Sequence, residues 1–319
     1  MKKRNLLIMV FITLFTTLFI RCSEDDDKNN TETGQITLKL TDAPSDDAEI
    51  KGTFVTISDV KIDGESLEAF SKQTIEISAY QQGETKLLIS NDINAESYSS
   101  ISLVFDYESD ESGNSPGCYV LTNDNQKHNL VSQSQSYSEI TFSNEFDVQA
   151  NTNSSWVVDF NMRKAITRNN ESSTESNYKF VSTSEMQNAL RIVDEDSSGE
   201  VHGEVTETLN TDDEMYVYIY RKGEFNTSTE TQEQGNSDIL FANAVTSAKV
   251  NENGSYKLAF LEEGDYEIHV ASYNIDNEQK SEFSTMLNAE SVVSGLLLND
   301  ISVNANTDIA ININILGII

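Results

Sequence analysis

The residues that could carry chemistry in this chain are few, apart from its acids. Of 319 residues, 3 are histidine and 2 are cysteine, against 53 aspartates and glutamates. His128 lies in a polar loop, and His202 and His269 take the solvent-side phase of alternating strands. None has a second histidine or a cysteine at the spacing that a zinc site needs. Cys118, in Gly117-Cys118-Tyr119-Val120, has no activating base near it in sequence and reads as a small core residue. No serine stands in a Gly-x-Ser-x-Gly frame, and no glycine-rich phosphate loop occurs. The carboxylates are too numerous for a glycosidase-type pair to be picked out. Two patterns are more specific. Asp194-Glu195-Asp196-Ser197-Ser198-Gly199 imitates the first half of a calcium loop, but Val205 stands where the bidentate glutamate belongs. Asp194 and Asp196 are therefore a weak calcium candidate and otherwise part of an acidic linker. Tyr216, Tyr218 and Tyr220 share one phase of a strand whose other phase holds Val217 and Ile219. If the aliphatic phase faces a core, the tyrosines form an exposed row at roughly 7 Å spacing, suited to the apolar faces of sugar rings. The alternative is that a neighbouring strand or loop covers them.

The elements that must position these residues are strands. Ile36, Leu38 and Leu40 alternate with polar residues, as do Val55 and Ile57, Ile75 and Ile77, Ile101 and Leu103, and Ile140 and Phe142. The pattern returns at Phe146 and Val148, at Tyr256, Leu258 and Phe260, at Tyr266, Ile268 and Val270, and at Ile309, Ile311, Ile313 and Ile315. Period-two alternation between Asn/Asp/Ser/Gly turns marks strands with one buried face. Only a short piece, Ser184 to Leu190, reads as helix. Trp156 shares its phase with Val158 and Phe160 and reads as core. The expectation is an all-β chain of two antiparallel, Greek-key-like β-sandwiches in tandem. They are expected over residues 36–193 and 199–319, divided by a polar linker at 194–198. Thr167 to Asn177 and Glu224 to Ser237 read as surface loops.

The N-terminus carries an address. Lys2, Lys3 and Arg4 precede an apolar run from Leu6 to Ile20, too short to span a bilayer comfortably, which takes about 20 residues. A lone cysteine closes it, and Leu18-Phe19-Ile20-Arg21-Cys22 resembles the lipobox of bacterial lipoproteins. That resemblance implies removal of residues 1–21, acylation at Cys22, and a tether over 22–35. Ser23-Glu24-Asp25-Asp26-Asp27 resembles the acidic export signal that carries lipoproteins to the outer face of the outer membrane in some Gram-negative bacteria. Removing residues 1–21 takes four basic residues and no acid, leaving 17 Lys+Arg against 53 Asp+Glu, a net of −36. Such a charge excludes nucleic acid, which needs basic clusters, and contact with an anionic membrane other than through the lipid. With Cys22 acylated, Cys118 has no intramolecular disulfide partner.

Two longer resemblances follow from the strand blocks. Ile36-Thr-Leu-Lys-Leu-Thr41-Asp42-Ala43-Pro44, Val55 to Ile62, Lys86-Leu87-Leu88, Tyr98 to Phe105 and Trp156 to Phe160 resemble the DUF4382 domain, a bacterial family of unknown function. In Thr-Asp-Ala-Pro, Asp42 is expected to bond turn amides, and Pro44 to end strand pairing. Gly199 to Val205 and the block Gly254 to Val270 resemble a transthyretin-like or carboxypeptidase-regulatory-like sandwich. The second block reads as a hairpin turning at Gly264. Such domains imply spacers or binding modules. The functional expectation is a surface-anchored, non-enzymatic lipoprotein with a binding or adhesion role, its ligand a glycan or a surface protein, accessory to carbohydrate capture. The alternatives are a structural stalk or envelope component without a ligand, and a hydrolase using surface carboxylates. No cofactor is expected, calcium aside.

Overall fold

The computed structural model describes residues 32–130, 139–169, 176–207, 213–275, 281–293 and 296–319, the Thr183 side chain excepted. The signal segment 1–21, Cys22 and the acidic run Ser23, Glu24, Asp25, Asp26 and Asp27 lie outside the described residues. So does most of the tether.

The alternating blocks form strands, and the chain is all-β with several sheets, one of them a half-barrel. In the first lobe, strands Thr33–Ala43 and Asn153–Asn161 lie side by side at the centre of a four-stranded sheet. Lys86–Asn94 and Leu190–Asp194 are its edges. A seven-stranded sheet faces it, centred on Ile50–Ile62 and Ser97–Phe105. Their inward phases meet in one core: Ile36, Leu38, Val55, Ile57, Leu103 and Val158 are all buried. Cys118 is fully buried among them, and burial pushes its thiol up to about 12. Trp156 also belongs to this core.

Not all pairing is antiparallel. Thr33–Ala43 runs parallel to Asn153–Asn161, and Ser198–Glu207 runs parallel to both Asp308–Ala310 and Ile313–Ile318. Parallel neighbours need long crossovers, here the whole opposite sheet in the first lobe, so local alternation carries no trace of them.

The second lobe is a nine-stranded sheet curling around Val201, Val217, Leu258, Ile268, Ile313 and Ile315. The hairpin expected at Gly264 is an arch. Ser255–Glu262 pairs with Ser198–Glu207, whereas Gly264–Ile275 pairs with Glu214–Arg221 and Ser281–Ser291. Gly264 has φ +152°, and a β-carbon there would collide with the Arg221 guanidinium, which donates to the Glu263 carbonyl at 2.9 Å. The two strands thus approach one core from different sides, which preserves their alternation without a ladder between them. A bulge at Phe260 (φ +54°) also shifts the phase, so that Leu261 rather than Phe260 is buried.

The polar stretch between the lobes is a turn. Asp194 accepts from the Asp196 amide at 3.0 Å and from the Ser197 hydroxyl at 2.8 Å, capping the 3-10 turn Glu195–Ser197. Glu195 pairs with Lys39 and Ser155 on the first lobe. From Thr33 on, the chain clusters as one unit.

Candidate functional site

The tyrosine row does not face solvent. Tyr216, Tyr218 and Tyr220 are at most 1% exposed. Both phases of Glu214–Arg221 are buried, the aliphatic one in the core of the nine-stranded sheet and the aromatic one in a third, small core with Phe241, Ala271 and Tyr273. The segment expected as a loop tip covers them. It contains a helical turn, Thr227–Glu230, and just beyond its expected end at Ser237, Phe241 stacks on Tyr218 at 4.2 Å between centroids. The Tyr220 hydroxyl donates to Glu230 at 2.9 Å, and Glu230 is itself only 1% exposed. The exposed-row expectation, and with it the sugar platform on Tyr216, Tyr218 and Tyr220, is therefore corrected. A five-residue run in which both phases are large and apolar-bodied describes a strand covered on both faces.

What covers this segment in turn is the first lobe. The strand Asn153–Asn161 ends in the short helix Met162–Ala165, whose two cations are buried at the contact between lobes. Arg163 donates to the carbonyls of Leu240 and Phe241, the latter at 3.0 Å, and lies over the Tyr218 ring at 5.2 Å. Lys164 donates to the Ala244 carbonyl. Burial and the nearby Arg163 and Arg191 charges pull the Lys164 ammonium down to about 7. On the same seam the Tyr216 hydroxyl donates to the Ser45 carbonyl at 3.2 Å. Glu185, on the capped helix Thr183–Ala189, accepts from the amides of Asn236 and Ser237 at 2.7 and 3.0 Å. The helix expected at Ser184 to Leu190 is thus present, and its acid ties the second lobe to the first.

Behind this seam sits Asp42 of the Thr-Asp-Ala-Pro turn. It bonds a distant amide rather than its own turn: Met162 N–H donates to it at 3.3 Å and Gln81 Nε2 at 3.1 Å. Burial and the neighbouring Asp159 charge push the Asp42 carboxyl well above the usual carboxylate range. Asp159 meanwhile pairs with Arg191 at 2.7 Å.

The seam is not closed along its length. A cleft of about 750 Å³ opens between the lobes. Phe283 is partly exposed in it, the buried Tyr178 and Tyr273 lie behind its lining, and Asp46, Asp47, Arg163 and Arg168 border it. Glu233, Asp238 and Glu282 stand exposed around it. Arg168 is held by Asp47 at 2.7 Å and Glu49 at 2.8 Å, and its guanidinium lies 5.5 Å from the Tyr178 ring centre. Asp46 is half-buried. Loss of solvent raises its carboxyl above the usual range, against the pull of the Arg163 charge and the Tyr273 hydroxyl. These groups come from four separate stretches, near residues 46, 165, 235 and 280, so no local motif announces them. The site is concave and lined mainly by polar and charged groups.

The remaining candidates do not converge there. Among the described residues, one group of metal-ligating side chains lies close together: Glu200, His202 and Asp308, with ligand atoms within 4.8 Å of one another. Asp194 and Asp196 belong to no such group, and Asp194 is engaged in its own turn. At the Glu200 group the protein already supplies partners. Lys257 sits 2.7 Å from Glu200, and His202 Nδ1 sits 2.6 Å from Asp308. His269, expected at the surface, is stacked on Phe225 at 3.6 Å between ring centres, and burial lowers its pKa. His128 packs edge-on against Tyr178.

Residues 33–181 match the model of DUF4382, a domain of unknown function. No curated protein matches the chain. Among solved structures, similarity is found to the Bacillus anthracis TIE protein (14% identity, TM-score 0.18, over 88% of this chain and 34% of that one). A leucine-rich repeat protein from Bacteroides thetaiotaomicron gives 12% identity and a TM-score of 0.21, over 88% of this chain and 26% of its own. BcpA, the major pilin subunit of Bacillus cereus, gives 11% identity and a TM-score of 0.21, over 89% and 70%. The chain thus spans about a third or less of the first two proteins. At these TM-scores the likeness carries no argument about fold or function.

Proposed function

We propose that this chain is a lipid-anchored, non-enzymatic surface protein that binds or adheres through the cleft between its two lobes. The observation that supports this is the cleft itself, of about 750 Å³, bordered by buried and half-buried charges. The non-enzymatic reading is supported by the chemistry of the described nucleophile and bases. The Cys118 thiol is fully buried and held at about 12, and the three histidines lie on separate elements. The lipid anchor at Cys22, the export run Ser23 to Asp27 and the outer-membrane address rest on the N-terminal residues alone.

A mixed array of glycans and peptides, probed with the full-length protein and with Gln232→Trp, tests the binding reading. Gln232 is exposed at the cleft, so tryptophan there should fill it without unfolding the lobe. Ligands retained by wild type and lost by the variant at unchanged Tm support the cleft. Ligands kept equally by both would refute it, and silence on the array would favour the stalk reading. Protease shaving of intact cells carrying Cys22→Ala, or alanines at Glu24 to Asp27, tests the address. Accessibility unchanged from wild type would refute the anchor or the export signal respectively.

A further inference from the structure

We infer that two copies of this chain pair through an uncharged apolar patch on the second lobe, beside the strand Ile313–Ile318. This goes beyond the cleft and does not depend on it. Eight large hydrophobic side chains are exposed among the described residues. Six of them fall in two short segments: Val292, Val293 and Leu297 in one, Leu316, Ile318 and Ile319 in the other. A groove of about 450 Å³ draws on both, with Val293, Leu297 and Ile319 exposed along it. Apolar side chains scattered singly over a surface are ordinary, whereas six confined to two adjoining segments mark an interaction site.

Backbone hydrogen bonds hold the patch in place. Val292 N–H donates to the Asn312 carbonyl at 2.8 Å, and Ile268 N–H to the Leu298 carbonyl at 2.7 Å. Ile319 N–H donates to the Met286 carbonyl at 3.0 Å. Asn312 and Asn314 alternate with the buried Ile313 and Ile315, as a strand with one wet face requires, but Leu316 and Ile318 then put aliphatic side chains into water.

The chemistry of the patch selects its occupant. Residues 291–299 and 309–319 hold no charged side chain, in a chain of which 23% is charged. The groove lining adds one acid, the exposed Glu290, and no lysine or arginine. A partner recognised by charge finds little here to pair with, and an anionic membrane surface repels a chain of net charge −32. A second copy brings the matching face. The six side chains expose about 600 Å² per copy, so a two-fold pairing of the patch with itself buries roughly 1,200 Å², the lower end of a specific interface. Two acidic copies also repel least where neither carries charge.

The test is crosslinking of the full-length protein in its own membrane. Cys118 is fully buried, and wild type, which shares every native thiol, gives the background. Asn288→Cys places a thiol at an exposed position on the groove. With a membrane-permeant bismaleimide it should give a band of twice the monomer mass. That band should be at least about fivefold stronger than the one from Ser112→Cys, at an exposed position on the first lobe. Val292→Asp with Leu316→Asp, both at exposed positions, should cut it at least about tenfold, since each copy would bury two unpartnered charges. Ile318→Asn, a milder change, should weaken it as well, with monomer recovered at the wild-type level in every variant. Raising salt from about 0.05 to 0.5 M should hold or strengthen the band, because screening relieves the repulsion between acidic copies. A band no stronger than that of Ser112→Cys, or one that survives the aspartates, would overturn the inference. So would a band of another mass, which assigns the patch to a different protein, or a thiol at position 288 that no maleimide reaches, which assigns it to the membrane.

Discussion

The core of the first lobe and the seam between the lobes are built by opposite means. The core is apolar, with Val55, Ile57, Leu103 and Val158 at zero exposure between two sheets. The seam is polar and directional: Arg163 and Lys164 reach from one lobe to backbone carbonyls of the other, and Glu185 caps amides in return. Burial of apolar area is indifferent to direction and adds up with size. Hydrogen bonds from buried cations add little net stability but cost much when one partner is lost. The core therefore decides whether each lobe exists, and the seam decides how the lobes meet and what shape the cleft has.

The largest effect should come from the core. Leu103→Ala removes a fully buried side chain between two sheets and should cost about 2–5 kcal/mol in urea unfolding. If it costs less than about 1 kcal/mol, the first-lobe core is looser than its burial implies. The seam comes next. Arg163→Met leaves the Leu240 and Phe241 carbonyls without their donor and removes the charge over Tyr218, for about 1–3 kcal/mol. Its signature should differ from that of the core variant. Calorimetry should show one transition for wild type and two for the variant, as the lobes, each with its own core, lose their coupling. A single transition at lower temperature would mean that the seam is no weaker a junction than the cores.

The same contrast explains what could be read from the chain alone. Strands were legible because burial of one sheet face forces period-two alternation, and Ile36, Leu38 and Leu40 or Ile311, Ile313 and Ile315 are buried as that pattern requires. Pairing was not legible. Alternation in Ser255–Glu262 and Gly264–Ile275 is the same whether they bond to each other or, as here, to different partners around a shared core. The Tyr216–Tyr220 run did carry a usable signal, since large side chains on both phases leave no face for water, but its cover comes from residues 224–245 and was visible only in space. The cleft had no signal of its own. Asp46, Arg163, Asp238 and Phe283 are unremarkable where they stand in sequence, and Arg163-Lys164 after a strand looks like an ordinary solvated turn.

The smallest effect, and the most diagnostic of the seam, is a pH dependence. Burial holds the Lys164 ammonium down at about 7 in the folded protein against 10.5 for an ordinary lysine, so between those limits the unfolded chain binds the extra proton. Stability must then rise with pH through that window, by up to about 1.4 kcal/mol per pH unit. Below pH 7 both states are protonated, and the folded state bears the full cost of the buried charge; as pH rises, that cost is relieved. Cys118 acts in the opposite sense at higher pH, because its thiol is raised from 9.0 to about 12 and stability falls across that interval. Comparing wild type with Lys164→Met cancels the cysteine. The variant forgoes the bond to the Ala244 carbonyl but carries no charge, so its stability should lie within about 1–2 kcal/mol of wild type at pH 7. From pH 7 to 8.5 the wild-type curve should climb and the variant's stay flat. Parallel curves would place the Lys164 ammonium in contact with water, and the seam would then be wetter than the core it was set against.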